Sequence, residues 1–377
     1  MHCPALAMGA SGELTLFLCG DVMTGRGVDQ VFARSCPPDL YEPHVSSALE
    51  YVELAERASG PIPRPVDHAY VWGNALEVLD DVQPAARIIN LETAITTSED
   101  AYPKGINYRM HPDNVPVLTA AGIDCCVLAN NHVLDWGEAG LLETLDTLAR
   151  ARIAAAGAGR NAAEARTPAV LAAGGGPRIL VLGLGSTDSG VPLGWAAGGT
   201  KPGVHVLRDY SDASVDEVAR IVDAAKRPGD VVIASIHWGT NWGYEIPRSH
   251  RRFAHALIAD AAVDVVHGHS SHHPRAIEVY RDRPILYGCG DFIDDYEGIL
   301  GYEEYRSDLA LMYFPTLDAR SAGLRRLEMV PLQVRRFRLH HAAERDRAWL
   351  REMLDRECRR YGGRITARGG VLALEWG

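Results

Sequence analysis

Five short segments of this 377-residue chain place a metal-ligand side chain directly after a run of apolar residues. The runs have the length and the residue types of buried strands. In an open α/β sheet the carboxyl ends of parallel strands meet at one edge, and ligands bind there. We therefore expect the five segments to converge on one site. Their polar residues are Asp21, Glu92, Asn131 with His132, His237, and the cluster at 267–273.

The donor chemistry of these segments indicates a divalent metal. Two carboxylates, an amide oxygen and several imidazoles suit Mn, Zn or Fe, present as one or two ions. An amide oxygen such as that of Asn131 is a weak ligand that is used mainly among better donors. Its neighbour His132 is predicted to act as a general acid. Asp135 either orients His132 or caps the helix that follows.

Composition favours an enzyme without a nucleic-acid or membrane partner. The net charge is −11, with 38 Lys+Arg against 49 Asp+Glu, which argues against binding to nucleic acid or to an anionic membrane. Hydrophobic residues make up 47% of the chain, which is ample for a large core. The seven cysteines fall mostly in predicted strands, which suggests reduced thiols. No window resembles a signal peptide or a membrane helix, so we expect a cytoplasmic protein.

Strands and helices alternate along the chain, which is typical of an α/β fold. We expect one catalytic domain over 13–340, with a Pro-rich and helical insertion at 36–85. The remaining segment, 341–377, is predicted to form a helix and a strand packed on that domain. Helices are expected at 46–57, 72–81 and 138–150. A hairpin is expected around Gly174-Gly175-Gly176.

Five sequence blocks resemble those of the CapA family, which is named for poly-γ-glutamate capsule synthesis. The blocks stand in the family's order and cover roughly 14–295. CapA-like proteins belong to the calcineurin-like metallophosphoesterase superfamily, so the resemblance implies a four-layer αββα sandwich with a one- or two-metal centre. The blocks are Gly-Asp-Val-Met at 20–23, Asn-Leu-Glu at 90–92, Leu-Ala-Asn-Asn-His-Val-Leu-Asp at 128–135, Ile-His-Trp-Gly at 236–239, and the Gly-His segment at 268–274.

The resemblance also implies a ligand set, which we read as Asp21, Glu92, Asn131, His237, His269 and His272. Glu92 stands where the superfamily usually has a bridging Asp. His272 is favoured by the family's spacing, with His273 as its nearest competitor. Met23 stands where typical phosphoesterases have a histidine, so one metal position is weaker or absent.

Several polar residues near these blocks are candidate substrate ligands. Lys104 and Arg109 lie on the loop after Glu92, and such a pair suits a phosphate or carboxylate. A solvated loop is the alternative for both. We also expect Asp291 to support the site from outside or to cap a turn. The remaining candidate substrate ligands are Arg26, Asn130, Glu245 and His273.

The predicted function is metal-dependent hydrolysis, in which a hydroxide generated at the metal attacks a phosphoester and His132 protonates the leaving group. The substrate would be a small-molecule or peptide-like anion. The first alternative is hydrolysis or processing of an amide or peptide-like bond, such as a γ-glutamyl bond. The second is a non-catalytic metal-binding accessory protein of capsule synthesis. A homodimer remains open.

Overall fold

The apolar runs identified in the sequence form strands in the computed structural model, which describes residues 12–173 and 176–377. The strands are β1 Glu13–Val22, β2 Ala86–Leu91, β3 Ala94–Ile95, β4 Arg109–Met110, β5 Cys125–Val127, β6 Ala154–Ala156, β7 Ala158–Gly159, β8 Ala169–Ala172, β9 Arg178–Ser186, β10 Gly203–Val204, β11 Val206–Leu207, β12 Val231–His237, β13 Val265–His269, β14 Ile277–Tyr280, β15 Arg283–Leu286, β16 Asp291–Ile293, β17 Leu309–Asp318, β18 Leu324–Arg335, β19 Arg338–His341, β20 Gly363–Arg368 and β21 Val371–Trp376.

Helices connect many of these strands. They are α1 Arg26–Asp29, α2 Ala48–Ser59, α3 Asn74–Val82, α4 Pro116–Ala120, α5 Gly137–Arg150, α6 Ala162–Arg166, α7 Asp212–Ala225, α8 Arg248–Asp260 and α9 Glu344–Cys358. The helix predicted at 46–57 begins two residues later, because Ser47 and Glu50 form a capping box that fixes its start.

Most strands belong to two mixed sheets. The first has the order β20-β21-β18-β17-β1-β2-β5-β6, with β16 also paired to β1 and β19 to β18. The second has the order β11-β9-β12-β13-β15-β14, with β8 paired to β9. Strands β1, β2, β5 and β6 are mutually parallel, as are β9, β12, β13 and β15. The carboxyl ends of these parallel strands carry the polar segments.

Side chains that alternate along each strand build three separate cores. In β1, Phe17 packs with the helices on one side, whereas Leu16 and Leu18 pack against the second sheet. In β9, Val181 faces the first sheet, whereas Leu182 packs with α7 and α8. One core therefore lies between the two sheets and one lies under each outer helical layer. The predicted four-layer αββα sandwich is confirmed.

The pair Cys125-Cys126 shows the same alternation on a smaller scale. Cys125 lies between the sheets, whereas Cys126 faces the helices, as a strand with period two requires. The described cysteines are free and buried. Among the described residues, no helix combines the length and the apolar composition that crossing a membrane requires.

The C-terminal segment contains more sheet than we predicted. Helix α9 is followed by two strands, β20 and β21, and β21 pairs with β18 at the edge of the first sheet. The hairpin predicted around 174–176 is present as the antiparallel pair β8 and β9, but its turn residues Gly174 and Gly175 lie outside the described residues. The N-terminal residues 1–11 also lie outside them.

Candidate functional site

The site lies where β1 and β2 of the first sheet end and β16 begins, beside the carboxyl ends of β12 and β13 of the second sheet. Asp21 is paired with Asp291 on one side and with Asn90 on the other. Gly20 makes this possible, because a Cβ at that position would lie 1.8 Å from the Gly290 carbonyl oxygen. Only glycine therefore lets β1 and β16 approach closely enough to set the two carboxylates side by side.

Two overlapping groups of side chains have the composition and spacing of metal sites. Asp21, His237 and His269 form one group, and Asp21, Glu92 and Asp291 form the other. Within each group the ligand atoms lie within 4.8 Å of one another, and all five residues are buried. Asp21 belongs to both groups, so it is the shared carboxylate in this geometry. The sequence had suggested Glu92 for that role.

Burial and mutual repulsion raise the pKa values of two acidic groups at the site. Burial and the neighbouring Asp291 raise the pKa of Asp21 to about 7. Burial, Asp21 and Asp291 also raise the pKa of Glu92 well above its ordinary value, and Glu92 Oε2 is buried without a hydrogen-bond partner. A cation would offset the repulsion and satisfy that oxygen. The residues present thus fit a divalent metal.

The imidazoles of the first group face each other and the carboxylates. His237 Nδ1 lies 2.8 Å from His269 Nδ1, and its Nε2 lies 3.0 Å from Asn131 Oδ1 and 3.6 Å from Glu92 Oε1. Burial lowers the pKa of both histidines well below the ordinary value, which keeps them neutral, as ligands must be. Ser235 lies between His269 Nε2 and the core histidine His267, at 3.0 Å from each ring.

His132 and Asp135 form a hydrogen-bonded dyad beside the metal groups. His132 Nδ1 lies 2.6 Å from Asp135 Oδ2, and its Nε2 lies 4.0 Å from Glu92 Oε1. Burial and Lys104 lower the pKa of His132 well below its ordinary value, whereas burial raises the pKa of Asp135 to about 7 despite Lys104. The dyad leaves one imidazole nitrogen directed at the groups that would hold the metal.

Lys104 supports this dyad instead of standing free to bind substrate. Its ammonium lies 2.6 Å from Asp135 Oδ1 and 3.2 Å from His132 Nδ1, and it donates to the Asn131 carbonyl oxygen. It still lines the cavity described below. The loop therefore places the Lys104 ammonium at the site, but most of its hydrogen-bonding capacity is used within the protein.

His272 and His273 point into different surroundings. His272 Nδ1 lies 3.0 Å from Asp291 Oδ1, and its Nε2 lies 3.1 Å from Asn241 Nδ2. Burial alone would lower the pKa of His272, but Asp291 raises it above the ordinary value. His273 is buried among Trp242, Tyr244 and Tyr305 and does not line the cavity. His272 is thus the histidine at the site, in contact with Asp291. His273, which the sequence analysis offered as a substrate ligand, packs behind it and is not among the residues that line the cavity.

Three further residues predicted to bind substrate do not line the cavity. Arg109 donates to the Ser98 carbonyl oxygen and lies 3.8 Å above the Trp136 ring, outside the cavity. Glu245 is exposed and also lies outside it. The Asn130 side chain bridges backbone groups: it donates to Leu91 O and accepts from the His132 and Val133 N–H groups. Periodicity does not determine where such loop side chains point.

Arg26 does line the cavity, but it is already bound. Its guanidinium donates to both oxygens of Asp295, at 2.8 Å and 2.5 Å, and to Glu42 at 2.8 Å. The same group lies 3.5 Å from the centre of the Tyr51 ring. Arg26 therefore forms part of the wall, with its charge balanced by carboxylates.

A cavity of about 670 Å³ opens above the metal groups. Its base includes Glu92, Asn131, His132 and His237. The walls carry aromatic and charged residues that the sequence analysis did not select. They include Tyr108, Trp242, Tyr296, Tyr302 and Arg306. Asp291 had one sequence signal, its position after a Gly-rich strand end, but only its pairing with β1 shows that it meets Asp21.

The sequence is similar to a bacterial protein family and to proteins of capsule and polyglutamine synthesis. Residues 15–296 match the family described as bacterial capsule synthesis protein PGA_cap. A probable polyglutamine synthesis accessory protein of Mycobacterium tuberculosis H37Rv is 50% identical over 362 residues, which cover 96% of this chain and 95% of that protein. The capsule biosynthesis protein CapA of Bacillus anthracis is 26% identical, covering 85% of this chain and 68% of that protein.

A solved structure is also similar in outline. The crystal structure of a novel phosphatase from Mycoplasma pneumoniae has a TM-score of 0.46 and 13% identity, covering 85% of this chain and 94% of that one. At that level the likeness supports no conclusion about activity.

Proposed function

Because this chain belongs to the bacterial capsule synthesis protein PGA_cap family, we propose that it is a metal-dependent hydrolase within that family, acting on a phosphoester. One or two divalent ions, Mn, Zn or Fe, would be held by Asp21, Glu92, Asn131, His237, His269, His272 and Asp291. When bound, such a metal activates water and polarises the electrophile at neutral pH.

The observation that carries this proposal is the His132–Asp135 dyad at the edge of the metal groups. Asp135 accepts from His132 Nδ1 at 2.6 Å and so fixes the tautomer that leaves Nε2 facing Glu92 and the cavity. Neutral His132 with Nδ1–H held by Asp135 carries no proton on Nε2, so acid catalysis would require Nε2 first to take up the proton released by the attacking water. Asp135 would stabilise the imidazolium that forms, and Nε2 would then pass that proton to the departing oxygen. A metal-binding protein without turnover has no need of an oriented imidazole next to the metal.

Other residues near the base of the cavity orient the dyad and shield it from water. Asn131 and Lys104 connect the dyad to the metal groups through the Asn131 carbonyl oxygen. Tyr108 covers one face of His132, with ring centroids 3.9 Å apart. The dyad is therefore shielded from bulk water on one side and open to the cavity at Nε2.

Hydrolysis of an amide, such as a γ-glutamyl bond, is the second candidate. The same donors serve acyl transfer, because an amide nitrogen also needs a proton on departure. The names of the relatives, which refer to polyglutamine synthesis and to capsule biosynthesis, favour this alternative. An accessory role without turnover is the third.

Metal reconstitution with a substrate panel tests the proposal. Protein stripped of metal and reloaded with Mn, Zn or Fe is assayed on an aryl phosphate, an alkyl phosphate, a phosphodiester and a γ-glutamyl anilide. We expect metal-dependent phosphoester hydrolysis. His132→Gln should keep its metal content but lose about 10²-fold or more of its turnover on alkyl phosphate, and less on the aryl phosphate, whose leaving group needs no proton.

Glu245→Gln, at an exposed position outside the cavity, is the matched control and should behave as wild type. Hydrolysis of the anilide alone would replace the phosphoester proposal with the amide alternative. No turnover with any metal, despite stoichiometric binding, would leave the accessory role.

A further inference from the structure

The cationic side chains of the cavity wall are already neutralised by the protein. Arg26 pairs with Asp295 and Glu42, and Lys104 lies 2.6 Å from Asp135. The third, Arg306, pairs with Asp308 at 2.7 Å and with Asp346 at 2.9 Å. The cavity beyond the metal groups thus offers no unpaired Lys or Arg among the described residues to an anionic substrate extension.

Several carboxylates that line the cavity have no Lys or Arg partner among the described residues. Glu92, Asp294, Glu297 and Glu303 line the cavity, and within the described parts of the chain none of them lies within ion-pair distance of a Lys or Arg. Asp294 is only 3% exposed, and its Oδ2 has no hydrogen-bond partner. A buried carboxylate oxygen with no donor is costly unless a ligand supplies one.

Aromatic rings accompany these carboxylates. Trp242 and Tyr302 stack with centroids 4.0 Å apart and an angle of 3° between their planes. Tyr302 is nevertheless 46% exposed and lines the cavity, as does Tyr296, whose backbone N–H donates to Asp294. Aromatic faces next to carboxylates form the usual environment for an organic ammonium group, which they attract through the ring quadrupole.

We infer that the cavity wall formed by Asp294, Glu303, Tyr302 and Trp242 binds an ammonium-bearing organic group of the substrate. This inference rests on the proposed function in one respect only: the bond to be hydrolysed lies next to the residues that would hold the metal. The substrate is then zwitterionic, with its electrophile at the base of the cavity and its cationic part against the wall. A free polyanion is disfavoured, because its second charge would meet unpaired carboxylates.

Binding, not turnover, tests the inference. Calorimetric titration of the metal-loaded protein compares the affinities for choline, for its uncharged tert-butyl isostere and for glutarate. The titrations are repeated on chelated protein, in which none of the three ligands can bind to a metal ion. We expect choline to bind about 5-fold to 30-fold more tightly than the isostere, with and without metal. Equal affinity for the two would overturn the inference, as would tighter binding of glutarate to the chelated protein.

Variants locate the site. Glu303→Gln and Asp294→Asn should weaken choline binding several-fold while leaving the isostere unchanged, and Tyr302→Leu should weaken choline most. Tyr41→Leu and Glu245→Gln are matched controls, because both side chains are exposed and lie outside the cavity. Glu303 is a surface residue, so its variant should fold even if Asp294→Asn does not.

If the three cavity variants bind choline as tightly as wild type, the wall is not its site and the inference fails. Choline binding without any hydrolytic activity would refute the proposed function alone. Hydrolytic activity without selective choline binding would refute this inference alone.

Discussion

The imidazole of His132 lies flat against the phenol ring of Tyr108, with centroids 3.9 Å apart and an angle of 17° between the planes. Tyr108 also donates its backbone N–H to Asp135 at 2.7 Å, so one residue contacts both members of the dyad. Its hydroxyl lies 2.9 Å from that of Tyr296, which also lines the cavity. Tyr108 is therefore a positioning residue for His132.

Replacing that ring should impair proton donation without removing metal. Tyr108→Leu leaves the His132 face uncovered, so we expect turnover of substrates with poor leaving groups to fall between about 10-fold and 100-fold. Aryl phosphates should be affected less, and elemental analysis should show unchanged metal. Tyr108→Phe keeps the ring and serves as the control. Equal losses in the two variants would assign the effect to the hydroxyl and not to stacking.

The shared position of Asp21 predicts how metal content responds to substitution. Asp21 belongs to both ligand groups, whereas Asp291 belongs to one and His269 to the other. Asp21→Asn should therefore lose all tightly bound metal. Asp291→Asn and His269→Ala should each lose only part of it if two ions bind. Elemental analysis of the three proteins, prepared in parallel, gives the stoichiometry; full metal content in Asp21→Asn would disprove the shared role.

The pKa of Asp21 predicts the pH dependence of metal binding. Its pKa is raised from 3.8 to about 7 in the metal-free protein, so the carboxyl carries a proton below about pH 7 that the metal must displace. Affinity should rise with pH up to about 7, by at most about 10-fold per unit for this proton, and then level off. Titrations in buffers of different ionisation enthalpy should detect proton release at about pH 6.

The same shift affects the stability of the metal-free protein with the opposite sign. A raised carboxyl pKa means that the folded chain holds its proton more tightly than the unfolded chain. This contribution is therefore complete below about pH 3.8 and is lost as the pH rises through about 7. Asp21→Asn should remove it, and thermal unfolding of both proteins across this range measures the difference. Parallel curves for the two proteins would contradict it.

Arg109 should matter for stability and not for substrate binding. Its guanidinium donates to the Ser98 carbonyl oxygen at 2.7 Å and covers the Trp136 ring. Arg109→Ala should lower the free energy of unfolding by about 1 to 3 kcal/mol, with KM unchanged. Denaturant titration measures the loss, and Arg345→Ala, at a side chain 87% exposed, is the control. A raised KM with unchanged stability would restore the substrate role.

Local patterns in the sequence predicted the strands and their polar ends, whereas the four layers were implied by the resemblance to the CapA family. Apolar runs with period two give strands with two buried faces, and the alternation of Leu16, Phe17 and Leu18 divides directly into two cores. The polar residue that ends each run is fixed at the sheet edge by backbone geometry. Asp21, Glu92, Asn131, His237 and His269 therefore come together without any knowledge of the loops.

Loop side chains and edge pairings were decided only by the tertiary structure. Lys104 and Arg109 lie five residues apart, yet one reaches Asp135 and the other Trp136, because neighbouring packing and not spacing directs a long flexible side chain. Asp291 meets Asp21 because β16 pairs with β1 across 270 residues, a pairing that depends on Gly20 at the point of closest approach.

The sequence by itself thus determined which polar residues end the strands and which edge of the sheet they occupy, since both follow from strand periodicity. It also predicted that those residues bind a metal. The tertiary structure decided which carboxylate is shared, which charged groups of the cavity find an ion-pair partner, and which residues line the cavity. These depend on contacts between distant segments, whose energies are set by burial and by the partners that each charge finds.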